Sequence, residues 1–253
     1  MASLGKVYLI GAGPGAQDLI TLRGARLLAQ ADVVLHDALV TEEMLELCPQ
    51  AEKILVGKRS GQRSTAQQFI NKQLVDYAHK VKLVVRLKGG DPMMFGRADE
   101  ELRALEEAGI EVEVVPGITT ALAAAAATRQ PLTKRGVARS VAFFTSSTAP
   151  EHSEHDAIPD TDTLVQYMGG REAIATAERL LAQGHRPDTP VVVIENVSRP
   201  DQHIRRMTIA TLAQGLGAAH GPVLVMLGDA MKSRPHQSLD TAISSAIAHQ
   251  LRA

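Results

Sequence analysis

Apolar and polar residues alternate along the first half of the chain in the pattern of a βαβ sheet. Short apolar runs typical of buried strands are separated by stretches whose apolar residues recur every three or four positions, as in helices. The predicted strands are Lys6–Ile10, Asp32–His36, Lys53–Val56, Lys82–Leu87 and Glu111–Val115. The clearest helices are predicted at Thr65–His79 and, rich in alanine, at Thr119–Thr128. We therefore predict an N-terminal α/β domain with glycine-rich turns over residues 1–116.

The second half repeats this alternation after a connector. The segment "RQPLTKRG" has the Pro and Gly of a loop, so residues 117–136 are assigned to a helix and connector. Residues 137–253 then form a C-terminal α/β domain. Its predicted strands are Val141–Thr145, Thr163–Tyr167, Pro190–Glu195 and Pro222–Leu227. Its predicted helices are Glu172–Ala182, Ile209–Leu216 and Leu239–Leu251. The fold class is thus α/β, with two α/β domains.

Composition narrows the class of protein. Hydrophobic residues make up 45 % of the 253 positions, enough for real cores, and the net charge of −1 gives no reason to expect a nucleic-acid or membrane surface. The single cysteine, Cys48, excludes an intrachain disulfide framework and favours a reducing compartment. The sequence has no apolar run long enough for a membrane span and no signal-peptide pattern at its start. We expect a soluble, cytoplasmic protein.

The stretch "IGAGPGAQDLIT" nearly matches the dinucleotide fingerprint, because Gly11, Gly13 and Ala16 follow the first strand at G-x-G-x-x-A spacing. A phosphate-binding turn offers backbone N–H groups and a helix N-terminus. Here Pro14 removes one N–H donor, and Asp18, expected at the start of the next helix, already supplies negative charge. The stretch therefore predicts a tight turn for a ligand with little negative charge.

A second glycine turn occurs in "VVRLKGGDPMMFGRADEE". It follows a buried strand, and the carboxyl ends of such strands are where open α/β sheets bind ligands. Gly89 and Gly90 allow close approach of the main chain, and Asp91 can orient polar groups. The alternative is a plain turn, followed by a plain i,i+4 ion pair between Arg97 and Glu101.

Six motifs in one order carry a resemblance that covers nearly the whole chain. They are "IGAGPGAQDLITLRGARLL", "DVVLHDALV", "VGKRSG", "VVRLKGGDPMMFGR", "VVPGITTALAAAA" and "PLTKRGVA". Together they closely resemble the tetrapyrrole methylases. The resemblance implies two α/β domains with a cofactor cleft between them, and S-adenosylmethionine as the methyl donor. Within the family, the motifs are most similar to the members that methylate uroporphyrinogen III twice at carbon to give precorrin-2.

This methyl donor suits the first turn, because it carries a sulfonium, a zwitterionic amino-acid end and an adenosine but no phosphate. The resemblance implies S-adenosylhomocysteine as product and no metal. It places the cofactor on Pro14, Gly89, Gly90, Asp91, Thr119, Thr120, Met168 and Val197. At Val197 relatives often carry glycine or alanine, and a main-chain contact would survive that change.

The implied chemistry is methyl transfer from sulfur to carbon on an electron-rich macrocycle. In-line geometry and exclusion of water supply most of the rate, so a strong nucleophilic side chain is unnecessary. The pyrrole must then lose a proton, for which a modest base or relay suffices. By resemblance, Arg97 and Glu100 orient the substrate and handle the proton, and Asp37 accepts a pyrrole N–H.

Basic clusters match the carboxylate arms of such a substrate. One contains Lys58, Arg59 and Arg63, and the other contains Lys134, Arg135 and Arg139. Lys58 and Arg135 are the predicted substrate-binding residues, Arg135 because it matches a family position that faces substrate. The alternative for each is a solvated surface charge. His36, where many relatives have tyrosine, is taken as a pocket-lining variant.

Two further features favour plain structural roles. "EHSEHD", at 151–156, places two histidines among acids, which could suggest a metal, but a solvated polar loop explains it better. Cys48 follows an apolar helical pattern and is predicted to be a packed thiol at a helix end.

Three other functions stay open from the sequence. An NAD(P)-dependent oxidoreductase would use Asp32 or Asp37 as the acid that binds the ribose, and a non-catalytic binding module would keep the same turns. Methylases of later precorrins are the nearest competitors within the family. We expect a free-standing methylase that acts on a small-molecule tetrapyrrole. The resemblance also implies that two copies of the chain form a homodimer. The product could feed siroheme, cobalamin or heme d1.

Overall fold

The computed structural model describes residues 4–56, 63–146 and 157–233. They form two units, each with a five-stranded sheet. The first unit comprises Met1–Ala127 together with a short later segment, Asn196–Gln202, and the second comprises Thr128–Glu195 and His203–Ala253. The helix Leu239–Leu251 predicted from the sequence lies outside the described residues.

The sheet of the first unit is parallel throughout, with strand order β3-β2-β4-β1-β5. Its strands are β1 (Lys6–Gly11), β2 (Val33–His36), β3 (Glu52–Leu55), β4 (Leu83–Lys88) and β5 (Val112–Val115). All five predicted strands are confirmed, with bounds that differ by one residue at most at either end. The prediction succeeds because β-branched runs between helical stretches are a local signal.

Helices cover both faces of this sheet. They are α1 (Leu22–Leu28), α2 (Glu42–Leu45), α3 (Arg63–Ala78), α4 (Ala98–Glu107) and α5 (Thr120–Thr128). Alternate strand residues point to opposite faces. Leu9 therefore packs in one core with Leu74 of α3 and Leu105 of α4, while Ile10 packs in the other with Leu28 of α1.

The strand order places a topological switch point between β1 and β4. From β1 the chain passes to β2, toward one end of the sheet, whereas from β4 it passes to β5, toward the other end. Where neighbouring strands part in this way, the loops at their carboxyl ends leave a crevice that commonly binds ligands. Both glycine motifs follow these two strands.

The second sheet is mixed, with strand order β6-β7-β10-β8-β9. Its strands are β6 (Val141–Thr145), β7 (Thr163–Tyr167), β8 (Pro190–Glu195), β9 (His203–Thr208) and β10 (Val223–Leu227), and its helices are α6 (Gly169–Ala182) and α7 (Ile209–Leu212). Among these described strands β6 and β7 pair in parallel, and the other neighbours are antiparallel. Leu180 of α6 and Leu212 of α7 pack on Val193 and Val225 to form its core.

Two predictions for this unit need correction. Strand β9 was not predicted, because its sequence HIRRMT is polar and lies at the sheet edge, where charged residues are common. The helix predicted to reach Leu216 ends at Leu212, shortly before Gly215 adopts a φ of 98°. Over the described residues, no helix combines the length and apolar character that a membrane crossing requires.

Candidate functional site

The two glycine motifs meet at the switch point of the first sheet. Gly13 N donates to Gly90 O at 3.1 Å, and Gly90 N donates to Gly13 O at 2.7 Å. Both residues have left-handed backbone, with φ of 77° and 70°, which glycine adopts without steric cost. Turns that were predicted separately from the sequence therefore form one paired structure.

A third turn, after β5, packs against this pair through another glycine. A Cβ on Gly11 would lie 2.6 Å from Gly117 Cα and 2.7 Å from Gly90 O. A Cβ on Gly117 would collide with Gly90 O as well. Backbone therefore touches backbone at the carboxyl ends of β1, β4 and β5, and any side chain at these positions would force the turns apart.

Asp91 fixes the geometry of these turns. Its Oδ1 accepts from Met93 N at 2.8 Å, and its Oδ2 accepts from Gly117 N at 2.9 Å. The carboxylate thus closes its own turn and links it to the turn that follows β5. Its contact with a cofactor stays a prediction, as do those of Gly89 and Gly90.

The first turn does not open directly into a helix. A single 3₁₀ turn, Gln17–Leu19, intervenes, and α1 begins at Leu22 with Thr21 as its N-cap. The hydroxyl of Thr21 accepts from Gly24 N at 3.1 Å. Asp18 lies in the first turn of the next helical stretch, as expected, but that stretch is the 3₁₀ turn and not α1. Pro14 and its neighbours present no helix N-terminus for a diphosphate.

Val197 lies beside the first motif because the segment Asn196–Gln202 packs within the first unit. Ser198 Oγ accepts from Ala16 N at 3.0 Å, and a Cβ on Gly15 would lie 3.1 Å from Val197 O. Val197 is buried, with its carbonyl oxygen close to the glycine turn. The main chain of Val197 is thus near Pro14, whereas its side chain packs inside the protein.

The threonines predicted to contact the cofactor stand at the start of α5. Thr119 O accepts from Leu122 N at 3.1 Å, which begins the helix, and Thr120 is its first residue. Thr120 Oγ1 would be 3.9 Å from a Cβ on Gly90. The hydroxyl of Thr120 therefore lies close to the paired turns, beside Gly90.

A buried ionic network ends at Asp37 and was missed by the sequence analysis. Asp37 Oδ1 accepts from Arg86 Nη2 at 2.5 Å, and Arg86 Nε donates to Glu101 Oε1 at 3.0 Å. Lys88 Nζ donates to Glu101 Oε2 at 2.7 Å. The sequence signal was available, since Arg86 and Lys88 are two residues apart in an apolar strand and so point to the same face.

The pKa values of Lys88 and Arg86 are shifted in opposite directions. Burial lowers the pKa of Lys88, and the neighbouring Arg86 charge lowers it further. Burial also lowers the pKa of Arg86, but Asp37 and Glu101 more than compensate, so it lies above its ordinary value. Arg86 is therefore a permanent cation between two carboxylates.

Asp32 does not fit the ribose acid of a nicotinamide site. Asp32 Oδ2 accepts from Lys82 N at 3.1 Å and from Leu83 N at 2.9 Å, before the start of β2. Asp32 therefore lies at the amino ends of the strands, whereas the glycine turns lie at their carboxyl ends. Asp37 follows β2, at the carboxyl ends of the strands, and its Oδ1 accepts from Arg86 Nη2.

Arg97 and Glu100 form a partly exposed bidentate pair at the start of α4. Arg97 Nε donates to Glu100 Oε1 at 2.7 Å, and Arg97 Nη2 donates to Glu100 Oε2 at 2.8 Å. Arg97 has left-handed backbone, with φ of 55°. The plain pairing of Arg97 with Glu101 is wrong, because Glu101 is buried against Arg86 and Lys88.

The other predicted residues are dispersed. Met168, half exposed and left-handed at the N-cap of α6, and Arg135, exposed in the turn closed by Lys134 and Ala138, belong to the second unit. His36 Nδ1 lies 3.2 Å from Asp37 O, and burial lowers the pKa of this imidazole.

Other predictions fall on residues with little or no description. Lys58, Arg59 and the "EHSEHD" segment lie outside the described residues, and the side chain of Arg63 is not described. Among the residues that the structure describes, no cluster of three or more metal-ligating side chains occurs. Cys48 is buried after α2, as predicted, and burial raises the pKa of its thiol.

Comparison with known proteins shows to which family the chain belongs. The profile of the Tetrapyrrole (Corrin/Porphyrin) Methylases matches residues 6–213. The chain belongs to the tetrapyrrole methylases. This confirms the resemblance found in the six sequence motifs, and the fold described above is the tetrapyrrole methylase fold.

Solved structures of tetrapyrrole methylases are similar to this chain over nearly all of its length. The native uroporphyrin III C-methyltransferase of Thermus thermophilus is 37 % identical, with a TM-score of 0.81 over 93 % of this chain and 100 % of that one. A complex of the Thermus enzyme with S-adenosylhomocysteine gives 39 % identity and a TM-score of 0.80, covering 89 % of this chain and 98 % of that one.

A longer curated relative is also similar. The siroheme synthase of Acinetobacter baylyi is 43 % identical over 241 residues, which are 92 % of this chain and 52 % of that protein. The chain therefore spans about half the length of the curated relatives that it matches.

Proposed function

We propose that the chain is the methylase that transfers two methyl groups from S-adenosylmethionine to carbons of uroporphyrinogen III, giving precorrin-2. The observation that carries the proposal is similarity over the full length of the Thermus thermophilus uroporphyrin III C-methyltransferase. Siroheme synthase relatives support the same pathway branch. S-adenosylhomocysteine is then the second product, and no metal is required.

The residues at the first sheet fit this methyl donor. The paired turns of Gly13 and Gly90 offer main-chain groups, and Thr120 adds a hydroxyl opposite Gly90. The N-terminus of α1 does not replace the donors that a diphosphate requires at the Gly13 turn, because α1 begins only at Leu22. A ligand with a zwitterionic end and an uncharged nucleoside suits such a site. We assign the cofactor to these groups together with Pro14, Gly89, Asp91, Thr119, Met168 and Val197.

S-adenosylmethionine supplies an electrophilic methyl group when bound. The work of this chain is to hold the substrate carbon in line and to exclude water. Asp37, with its side chain 29 % exposed, accepts a pyrrole N–H, and this contact orients the ring. Arg97 and Glu100 present a cation and a carboxylate at the start of α4, where they orient the substrate and accept or relay the pyrrole proton.

The substrate arms require cations at the periphery of the site. We assign Arg135 and Lys58 to these carboxylates on the basis of the resemblance, because guanidinium and ammonium groups pair with them. The exposure of Arg135 is compatible with this role. We also propose a homodimer, on the basis of the resemblance, and a cytoplasmic location, which the single cysteine favours.

The test is incubation of the purified chain with uroporphyrinogen III and S-adenosylmethionine. The expected product carries two added methyl groups by mass and shows the absorbance of a dimethylated macrocycle after oxidation. Two molecules of S-adenosylhomocysteine should form for each substrate consumed. The proposal is wrong if uroporphyrinogen III is returned unchanged, and turnover of a later precorrin instead would identify the chain as another methylase of the family.

A further inference from the structure

Arg86 is held in place by partners other than Asp37. It lies on β4 with 2 % of its surface exposed. Its Nε donates to Glu101 Oε1 at 3.0 Å, and its Nη1 donates to Leu35 O at 3.4 Å and Leu87 O at 3.3 Å. A planar guanidinium bonded on two sides cannot rotate freely. The remaining nitrogen, Nη2, therefore points at Asp37 from a fixed position.

Glu101 is fixed in turn. Lys88 Nζ donates to its Oε2 at 2.7 Å, and Gln67 Nε2 donates to its Oε1 at 3.3 Å. Glu101 has no exposed surface, and its helix α4 packs on the same face of the sheet as Arg86. The anchor of Arg86 is consequently part of the protein core.

Within the described part of the chain, Asp37 is the network member that reaches solvent. Its side chain is 29 % exposed, compared with 3 % for Arg86 and Lys88 and none for Glu101. Asp37 follows β2, which pairs with β4 next to the Gly89–Gly90 turn. The network thus runs from the core to the carboxyl ends of the strands, where α/β proteins bind ligands.

Stability alone does not account for such a network. Burying charges costs solvation free energy, and replacing a buried ion pair with apolar side chains of similar volume is often neutral or stabilising. Apolar side chains at positions 86 and 88 would pack in the core as well as the charged ones do. What apolar residues could not do is hold the carboxylate of Asp37 in one orientation.

We propose that Arg86 is a positioning residue, whose guanidinium, anchored on Glu101, fixes the Asp37 carboxylate toward the tetrapyrrole substrate. The inference rests on the proposed function, since it assigns Asp37 a substrate contact. One oxygen, Oδ1, is taken by Arg86. The other, Oδ2, is the acceptor for the pyrrole N–H, and Lys88 supports the arrangement by holding Glu101.

The test is a double-mutant cycle with Arg86→Lys and Asp37→Asn, read as kcat/KM for uroporphyrinogen III. Lysine keeps the buried positive charge but has no planar fork, so it cannot hold Asp37 and Glu101 on separate nitrogens of one rigid group. Misplacing a substrate contact by about 1 Å costs roughly 100-fold. We expect losses approaching that size for each single variant. If Arg86 acts through Asp37, Arg86→Lys should cost nothing further in the Asp37→Asn background.

A purely structural role for Arg86 predicts equal losses in both backgrounds, and that result would overturn the inference. Affinity for S-adenosylhomocysteine, measured by calorimetry, should be unchanged in a folded Arg86→Lys variant. Arg103→Lys, on the exposed face of α4, is the matched control and should retain wild-type kcat/KM. Failure of the wild-type protein to methylate uroporphyrinogen III would instead refute the proposed function.

A second measurement needs no variant and decides the inference should Arg86→Lys not fold. A crystal structure of the wild-type protein with uroporphyrin III and S-adenosylhomocysteine should show Asp37 bonded to Arg86 and to the macrocycle at once. An Asp37 side chain that leaves Arg86 on ligand binding, or that points away from the macrocycle, would overturn it.

Discussion

Asp91 Oδ2 accepts a hydrogen bond from Gly117 N at 2.9 Å, across 26 positions of sequence. One carboxylate thereby joins the loop after β4 to the loop after β5. Gly117 also packs on Gly90 and Gly11, so this bond lies where three strand ends converge.

Asp91→Ala should lower the free energy of unfolding by about 1.5–3 kcal/mol, because it removes a charged acceptor from two backbone N–H groups. Affinity for S-adenosylhomocysteine should fall as well. Chemical denaturation and calorimetry measure the two effects. Asp99→Ala removes an exposed partner of Arg103 and should cost less than about 1 kcal/mol. Equal losses in both variants would contradict the role assigned to Asp91.

Gly117→Ala should abolish or severely weaken binding of S-adenosylhomocysteine, because the added Cβ would displace Gly90 O and open the paired turns. Gly109→Ala provides the comparison. Gly109 has a φ of 68° but no atom within 4 Å of an added Cβ. It should therefore lose roughly 1–2 kcal/mol of stability from backbone strain while retaining affinity. Intact binding by Gly117→Ala would show that the junction does not shape the site.

Arg97→Ala and Glu100→Gln should each reduce kcat by about 100-fold or more, in the range that proton transfer by a positioned side chain contributes. Their stability should change by less than about 1 kcal/mol, because the pair is partly exposed. Arg103→Ala, which breaks another exposed pair on the same helix, serves as control. Normal turnover by both variants would remove Arg97 and Glu100 from the mechanism.

Acid should destabilise the second unit through Asp162. Its Oδ2 accepts from Arg139 N at 2.8 Å, Ser140 N at 2.9 Å and Ser140 Oγ at 2.8 Å, and these bonds hold its pKa below the usual range. The folded state thus binds this proton less readily than the unfolded state. The contribution is complete above the ordinary pKa of aspartate, about 3.9, and is lost as the pH falls through the folded value.

The measurement for Asp162 is the free energy of unfolding as a function of pH. Wild-type protein should lose stability more steeply than Asp162→Asn below about pH 4. Asp160→Asn changes an exposed acid two positions away and should leave the wild-type slope. Identical slopes for wild type and Asp162→Asn would show that these hydrogen bonds do not govern acid unfolding.

The strands of the first sheet and both glycine turns were predictable because their signals are local. A β-branched run followed by glycines describes a buried strand and the turn after it, as at Val84 to Gly90. The family resemblance also followed from sequence, since its motifs are contiguous. What the sequence left open was which of these turns contact one another.

Long-range pairing accounts for most of what was missed. Glu101 reads as one of three acids in the first turn of α4, and nothing local distinguishes it from Glu100. Only the packing of α4 on β4 turns Glu101 inward to Arg86 and leaves Glu100 for Arg97. Strand β9 was missed because its sequence, HIRRMT, has two adjacent arginines and no apolar alternation.

The segment Asn196–Gln202 constrains how this chain could ever be divided. Its Ser198 hydroxyl accepts from Ala16 N across 182 positions of sequence, and its Arg199 guanidinium donates to Leu39 O across 160 positions. A fragment ending near Ala127 would lack both groups, and the loop after β1 would lose its contacts with this segment. Shuffling of N- and C-terminal halves between homologues would therefore exchange part of the first unit along with the second, and a graft of the first unit has to carry this seven-residue strip with it.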